Sequence, residues 1–325
     1  MSEVKIGFIG AGGNAQGHMT RLSEVEEANI VAICDISEET AQSAVDEFGG
    51  SVYTDHHEML EDAEMDALYV SIPPFAHTDA EILAAEAGLH LFVEKPVVTD
   101  MDQGLEILSA IEDAGVLSSV GYQLRLLDTS QRIKSYLADR TVAMISSHRW
   151  GGLPGVAWWR VMDKSGGQLH EQTTHQVDLM RYLTGHEIVE VYAQYDLLVM
   201  DDVENITIPD SQAAMFTFDN GTIATVTTSP MMTQGGGKSD LNFLLRDQII
   251  GWSTGAVAVS GEDAPELQGE PEETPNIDET FVRAILAGDQ SIIPCSYEDG
   301  LRTADVTLAA NESARTGKPV QPKMA

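Results

Sequence analysis

Two short stretches of this 325-residue chain carry side chains that could do chemistry. The first is Leu91-Phe92-Val93-Glu94-Lys95-Pro96, an apolar run rich in β-formers that ends in an acid, a base and a proline. It reads as a buried parallel strand delivering a charged pair to its carboxyl edge. In open α/β sheets that edge is where ligands bind. Pro96 ends the ladder and biases Lys95 toward extended backbone, so the lysine is held at a crevice. A surface ion pair at a strand end is the plainer alternative. The second stretch is a helical pattern from Gln168 to Leu183, closed by Gly185, in which Glu171, His175 and Asp178 recur at i, i+4 and i+7 and share one face. Leu169, Val177, Leu179, Met180 and Leu183 fill much of the remainder, so the polar face suggests the wall of a cleft. Such a face could hold a metal, but no third strong ligand motif accompanies it and no metal is expected.

A third motif points to a nucleotide. Val4 to Ile9 reads as a strand and is followed by Gly10-Ala11-Gly12-Gly13-Asn14-Ala15, then by a helical pattern through Leu22 and Val25. This fits G-x-G-x-x-G/A in its proper context. Gly10 permits the tight turn, Gly12 lets a pyrophosphate approach the backbone, and Ala15 lets the helix pack closely on the strand. The helix start would then offer free N–H groups and a positive dipole end to the phosphates. Asp35 ends the strand Asn29 to Cys34, 23 residues after Gly12, where a ribose-binding carboxylate belongs. It would repel a 2′-phosphate, and Ile36, Ser37 and Glu38 bring no arginine, so NAD is expected over NADP. Asp35 could instead cap a helix, but Ser37, with Thr40 three residues on, suits that role better.

The elements that must position these groups alternate. Ala67 to Ile72 is a strand ending in Pro73-Pro74, with a helix from about His77 to Ala87. His90 to Glu94, a helix from Met101 to Ala114 closed by Gly115, and a strand from Leu117 to Gly121 follow. Residues 1–121 therefore read as a dinucleotide-binding domain on a doubly wound parallel sheet. Pro73, Pro74 and His77 stand past a strand's carboxyl end and should line the cofactor cleft, helix packing being the alternative for His77.

Residues 122–325 read as a second domain for substrate and oligomerisation. Tyr122 to Asp139 is a helix and Thr141 to Trp150 a strand; the stretch from Gly151 to Arg160 is too rich in Gly and Pro for a regular element. Three of the four tryptophans, Trp158 among them, lie between positions 150 and 159. Their indoles suit the C–H faces of sugars, or they pack an interface. Strands follow at Ile188 to Val199, Gln212 to Phe218, Thr222 to Thr228 and Leu241 to Arg246, with Asp219-Asn220-Gly221 as a hairpin turn. Met231 to Lys238 reads as a mobile loop. Gly261 to Thr274, with six acids among its glycines and prolines, reads as a solvated one. Asn276 and Glu279 form a capping box for a helix to Ala287, and the last helix spans about 296–316.

Composition narrows the function further. Fifty-two acids against 18 bases give a net charge of −34, a field that repels nucleic acid and anionic membrane. No apolar run approaches the roughly 20 residues of a membrane helix, and the N-terminus lacks the plan of a signal peptide. Cys34 and Cys295 sit in apolar, strand-like contexts without metal spacing, as reduced, packed thiols would. A cytoplasmic protein is expected. Its acidity and its mere seven lysines suit a salt-rich, halophilic cytoplasm, where counterions screen self-repulsion. Where bases are this scarce, those retained should have a task, and eight lie between Tyr122 and Thr184, Arg125 and Arg160 included.

Taken together, Gly10-Ala11-Gly12-Gly13, Pro73-Pro74-x-x-His77, Glu94-Lys95-Pro96 and the run Gly166 to Asp178 resemble the glucose–fructose oxidoreductase/inositol dehydrogenase/rhizopine catabolism (Gfo/Idh/MocA) family over essentially the whole chain. The resemblance implies an N-terminal Rossmann domain, a C-terminal α/β domain on a large open, mostly antiparallel sheet, and hydride transfer between NAD(P) and a carbon of a sugar or cyclitol. It makes Lys95 the family's Glu-Lys-Pro lysine and His175 its catalytic histidine, and places Glu94 on the nicotinamide ribose. Many members have Asp four residues before the histidine where this chain has Glu171, which would still orient His175 but with a longer reach. The expected reaction is NAD-dependent oxidation of a secondary alcohol of a sugar, sugar acid or cyclitol. Tyr122, Arg125, Trp158 and Arg160 are the candidates for substrate contact, with His170 for either contact or packing. A glycosidase that recycles NAD through transient oxidation, and a non-enzymatic sugar or nucleotide sensor, are the rivals. The family also implies a homodimer or homotetramer.

Overall fold

The computed structural model describes residues 3–254, 256–261, 264–270 and 274–325, so parts of the N-terminus and of the acidic stretch after Gly261 lie outside the described residues. The chain divides into two units, Met1–Gln123 with Pro275–Leu301, and Leu124–Thr274 with Arg302–Ala325. The division differs from a single cut at residue 121 because a segment from far along the chain returns to the first unit.

The first unit alternates strand and helix: β1 (Val4–Ile9), α1 (Gly13–Leu22), β2 (Ala28–Cys34), α2 (Glu38–Phe48), β3 (Ser51–Tyr53), α3 (His56–Asp62), β4 (Ala67–Val70), α4 (Ala80–Glu86), β5 (His90–Val93), α5 (Met101–Ala114) and β6 (Ser118–Val120). The strands form one parallel sheet in the order β3-β2-β1-β4-β5-β6. Order reverses between β1 and β4, which places a topological switch beside the glycine-rich turn. β4 is buried along its whole length, as parallel strands covered on both faces are.

The second unit runs α6 (Asp128–Leu137), β7 (Met144–Trp150), α7 (Met162–Ser165), α8 (Gly167–Glu171), α9 (Thr174–Thr184), β8 (Ile188–Asp196), β9 (Ser211–Phe218), β10 (Ile223–Ser229), β11 (Lys238–Leu245), β12 (Gln248–Ser253) and β13 (Ala256–Gly261). Its seven strands are ordered β13-β12-β11-β7-β10-β9-β8, antiparallel except for the β7–β10 pair. One face of this sheet, with Ile145, Phe216, Val226, Leu241, Phe243 and Trp252, packs on apolar residues of α6 and α9. The other face is open. Met144, Ile223, Leu244 and Ile249 stand side by side on it in register, with Met215 in the next row, and all but Leu244 are exposed.

The chain then gives α10 (Ile277–Ala287), which belongs to the first unit, and α11 (Tyr297–Thr316), whose residues to Leu301 belong to the first unit and the rest to the second. The Asn276 side chain accepts from the N–H groups of Asp278 and Glu279, and Gly288 closes α10 in the left-handed region. Glu279 pairs with Arg283, so only the Asn276 half of the expected box forms. Both cysteines are buried. No described helix is long and apolar enough to cross a membrane.

Candidate functional site

In the first unit the glycine-rich turn takes the shape its residues allow. Gly10 has φ +94°, and a Cβ there would stand 2.3 Å from the carbonyl oxygen of Ser71, so only glycine fits. Gly12 and Gly13 meet nothing within 4 Å of a would-be Cβ, an opening a phosphate can enter. No side chain caps the start of α1, which leaves its first N–H groups for a ligand. Asn14 is exposed beside them, and Ala15 is buried, as close helix–sheet packing requires. Asp35 backs the turn: Oδ2 accepts from the Ala11 N–H at 3.0 Å and Oδ1 from the Ser37 N–H at 2.9 Å. Ser37 caps α2 through the Thr40 N–H, so Asp35 is not the cap. Each Asp35 oxygen keeps a lone pair for a ribose hydroxyl. Ile36 beside it is 99% exposed, an apolar surface next to the ribose position that the pattern of glycines did not single out. These residues fit a dinucleotide.

At the carboxyl end of β4 the expected helix from His77 starts late. Pro73 and Pro74 lead into a 3₁₀ turn, Pro74–Ala76, and α4 begins only at Ala80. Proline at the first position favours this turn because its ring presets φ and lacks an N–H. Pro74 and His77 are buried and Pro73 half-buried. The His77 Nδ1 pairs with the buried Glu81 carboxylate. His77 is thus set by α4 from one side.

β5 delivers Glu94, Lys95 and Pro96 as expected, with the Glu94 N–H still donating to Val70 at 2.9 Å and the Lys95–Pro96 bond cis. Lys95 is half-buried. Glu94 is buried, and its Oε1 accepts from His18 Nε2 at 2.9 Å. The other nitrogen of His18 lies 2.6 Å from Asp278 Oδ1 on α10, and Arg21 Nε donates to Asp278 Oδ2 at 2.5 Å. Sequence reasoning missed His18, Arg21 and Asp278. The only available signal was a histidine in the first turns of α1, because the partner on α10 lies 260 residues away. Tyr122 is buried and stays with the first unit.

In the second unit the single helix expected from Gln168 to Leu183 is two. The Thr173 N–H donates to Gln168 O, five residues back, and Gln176 and Val177 then restart on Thr173 O. This wide turn inserts a residue between α8 and α9, so Glu171 and His175 do not share one continuous helical face as the spacing suggested. Asp178 is engaged by an arginine. It takes the Nε and Nη2 of Arg125 at 2.9 and 2.6 Å, both residues being buried, and Arg125 also lies over the Tyr182 ring. Arg125, expected at the substrate, therefore gives two guanidinium nitrogens to a carboxylate of its own unit. His170 is buried with Nδ1 on Thr307 at 2.7 Å. α9 is buried except at His175, Tyr182 and Thr184. Glu171 is buried, Trp158 and Arg160 are half-buried, and Trp159 is fully buried. A cavity of about 660 Å³ in this unit is lined by Trp150, Tyr195, Gln212, Ser229 and Met231, and by none of His175, Trp158 or Arg160.

Comparison with known proteins agrees with the fold of both units. A profile described as an oxidoreductase family with an NAD-binding Rossmann fold matches residues 4–122, and one described as the GFO/IDH/MocA C-terminal domain matches 131–248. The chain is 27% identical to the uncharacterized oxidoreductase YrbE of Bacillus subtilis, over 98% of this chain and 96% of that protein. It is 25% identical to the scyllo-inositol 2-dehydrogenase (NAD(+)) of the same organism, over 98% and 96%. The WlbA dehydrogenase of Chromobacterium violaceum, solved with NADH and UDP-GlcNAcA, shares the fold with a TM-score of 0.87 at 20% identity, over 99% of this chain and 96% of that one. With both of its domains matched by the family's own profiles, the chain belongs to the Gfo/Idh/MocA family of oxidoreductases, its first unit being the family's NAD-binding Rossmann domain.

Proposed function

We propose that the protein is an NAD-dependent dehydrogenase that oxidises a secondary alcohol of a sugar, sugar acid or cyclitol. The observation that carries this reading is the partial exposure of His175 on a helix otherwise almost wholly buried. An imidazole left partly exposed on such a helix has a use, and general base is a use that imidazole chemistry suits. Bound at the glycine turn and Asp35, NAD supplies a two-electron hydride acceptor. Glu94 and Lys95 stand at the sheet edge of the same unit. His175 accepts the hydroxyl proton, and the Lys95 ammonium donates a hydrogen bond to the substrate oxygen as negative charge grows on it. Glu171 orients His175, while Tyr122, Trp158 and Arg160 contact the substrate. The sugar and inositol relatives support the substrate class, and Asp35 followed by Ile36 supports NAD over NADP. The open, apolar face of the seven-stranded sheet supports a homodimer or homotetramer.

The test is NADH formation from NAD⁺, in parallel with NADP⁺, across sugars, sugar acids and inositols. Lys95→Ala and His175→Ala should each lower turnover by roughly 10²–10⁴ while NADH binding is kept. Unchanged turnover in Lys95→Ala would remove the central assignment. Silence on every alcohol, with NAD retained by the purified protein, would favour the redox-recycling glycosidase or the sensor.

A further inference from the structure

The cofactor unit holds a buried charge cluster that the proposed reaction leaves unused. His18 on α1 is 4% exposed, Glu94 at the end of β5 is 8% and Asp278 on α10 is 0%. His18 reaches both carboxylates, Nε2 to Glu94 at 2.9 Å and Nδ1 to Asp278 at 2.6 Å. A ring between two carboxylates satisfies both only as an imidazolium, because a neutral ring carries one N–H. Its orientation has little freedom. Phe92 meets it edge-on with ring centroids 4.8 Å apart, Tyr69 lies at 5.7 Å, and Phe281 of α10 packs against both of those rings. Glu94 is walled on a second side, since a Cβ on Gly121 would stand 2.2 Å from its Oε1.

We propose that His18 is a positioning residue: protonated between Asp278 and Glu94, it fixes the Glu94 carboxylate at the sheet edge and leaves Oε2 to accept a hydroxyl of the bound dinucleotide. The role rests on the cofactor reading above. It assigns α10 a task as well, since Asp278 is what holds the proton on a ring that burial would otherwise neutralise. Burial lowers the affinity of His18 for its proton, but its hydrogen bonds to Asp278 and then to Glu94 outweigh it and raise the pKa to about 9. The charged and titratable groups that face the ring are Glu94 from β5, Asp278 from α10, Arg21 from α1 and Tyr69 from β4. Arg21, with Nη2 2.9 Å from Nδ1, opposes the proton, and the two carboxylates prevail. The Tyr69 phenol is pushed well above its usual range by burial and so stays neutral.

The test uses the full chain without cofactor, labelled with ¹⁵N-histidine, and His18→Gln to assign the signal. One histidine should remain doubly protonated through neutral pH and titrate near 9. A His18 signal titrating below 7 would overturn the proposal. In a second arm NADH binding is followed by fluorescence from pH 6 to 10. Wild-type affinity should fall at the same pH as the NMR transition. His18→Gln should bind about 10–100-fold more weakly at neutral pH and lose that break. Asp278→Asn, which keeps the shape, should move the break to lower pH. A His18→Gln protein that binds NADH like the wild type at every pH overturns the role. If no alcohol is oxidised yet NADH binding keeps its dependence on His18, the reaction assignment fails and the positioning role is supported. If the wild type does not bind NADH, both fall, and the NMR arm reports on the clamp alone.

Discussion

On the proposed reading, Asp35 and Ile36 decide which dinucleotide the turn accepts. A carboxylate whose oxygens already take the Ala11 and Ser37 N–H groups is held facing the ribose position and is hostile to a phosphate there. Replacing the pair, Asp35→Ala with Ile36→Arg, should weaken NAD by about 10–100-fold and improve NADP, read as the ratio of kcat/KM for the two cofactors. An unchanged ratio would dismiss Asp35 as the selector. His18 gives a prediction about stability. Its folded pKa of about 9 lies above the ordinary 6.5, so the stabilisation is complete below pH 6.5 and disappears as the pH rises through 9. The loss should be on the order of 3 kcal/mol, seen in urea midpoints at pH 6, 8 and 10, and His18→Gln should flatten the profile. Single residues were legible where the local pattern alone fixes a conformation: Gly10 by its turn and Ser37 by its cap. Arg125 was not, because its partner Asp178 is 53 residues away and nothing near either residue announces the pair.

Helix ends follow the same division. α5 starts and stops where Asp100 and Gly115 say it should, the first accepting from the Asp102 N–H and the second left-handed at φ +66°. Asn276 does the same for α10, so Asn276→Ala should cost about 0.5–2 kcal/mol of stability in denaturant melts, and it should loosen the register of Asp278 as well. A cost near zero would mean that packing alone holds the helix start. The break between α8 and α9 carried no such mark. Gln172 and Thr173 are ordinary helix residues, and the extra residue is accommodated by tertiary hydrogen bonds, Thr173 to the Thr228 hydroxyl at 2.6 Å among them. The helix expected from Tyr122 to Asp139 is a short 3₁₀ turn over Gln123–Leu126 followed by α6, which begins only at Asp128. β12 and β13 went unread because Gly251 blurs the alternation, whereas β9 and β10 alternate along most of their length.

For the whole molecule, the open sheet face and the charge of −34 pull in opposite directions. Met144, Ile223, Leu244 and Ile249 make an apolar row that a second copy would cover, while two such copies repel through their summed charge. Association should therefore strengthen with salt, which shortens the reach of that repulsion to about 10 Å at 0.1 M and about 3 Å at 1 M. Sedimentation across that range should show larger species as salt rises, and Ile223→Lys with Met215→Lys should abolish them. A wild type that stays monomeric at high salt would refute the oligomer. Thermal melts along the same series test the halophilic reading, which full stability at low salt would sink. The two fold classes were readable because alternation of strand and helix, then of strand and turn, survives in any window. The division of the chain was not, because no local composition signals that residues 275–301 rejoin the first unit.

That return has a consequence for the order in which the protein is made. When Gln123 leaves the ribosome the six strands of the parallel sheet exist, but the ring of Phe281 that closes over Tyr69 and Phe92 does not, nor does the anion opposite His18. At ordinary elongation rates the missing segment arrives roughly 8–30 s later, after most of the second unit has been translated. Through that interval the nascent nucleotide domain carries an uncovered aromatic face and one side of a charge cluster without its counterpart. The last step of its folding is thus timed by the synthesis of a different domain.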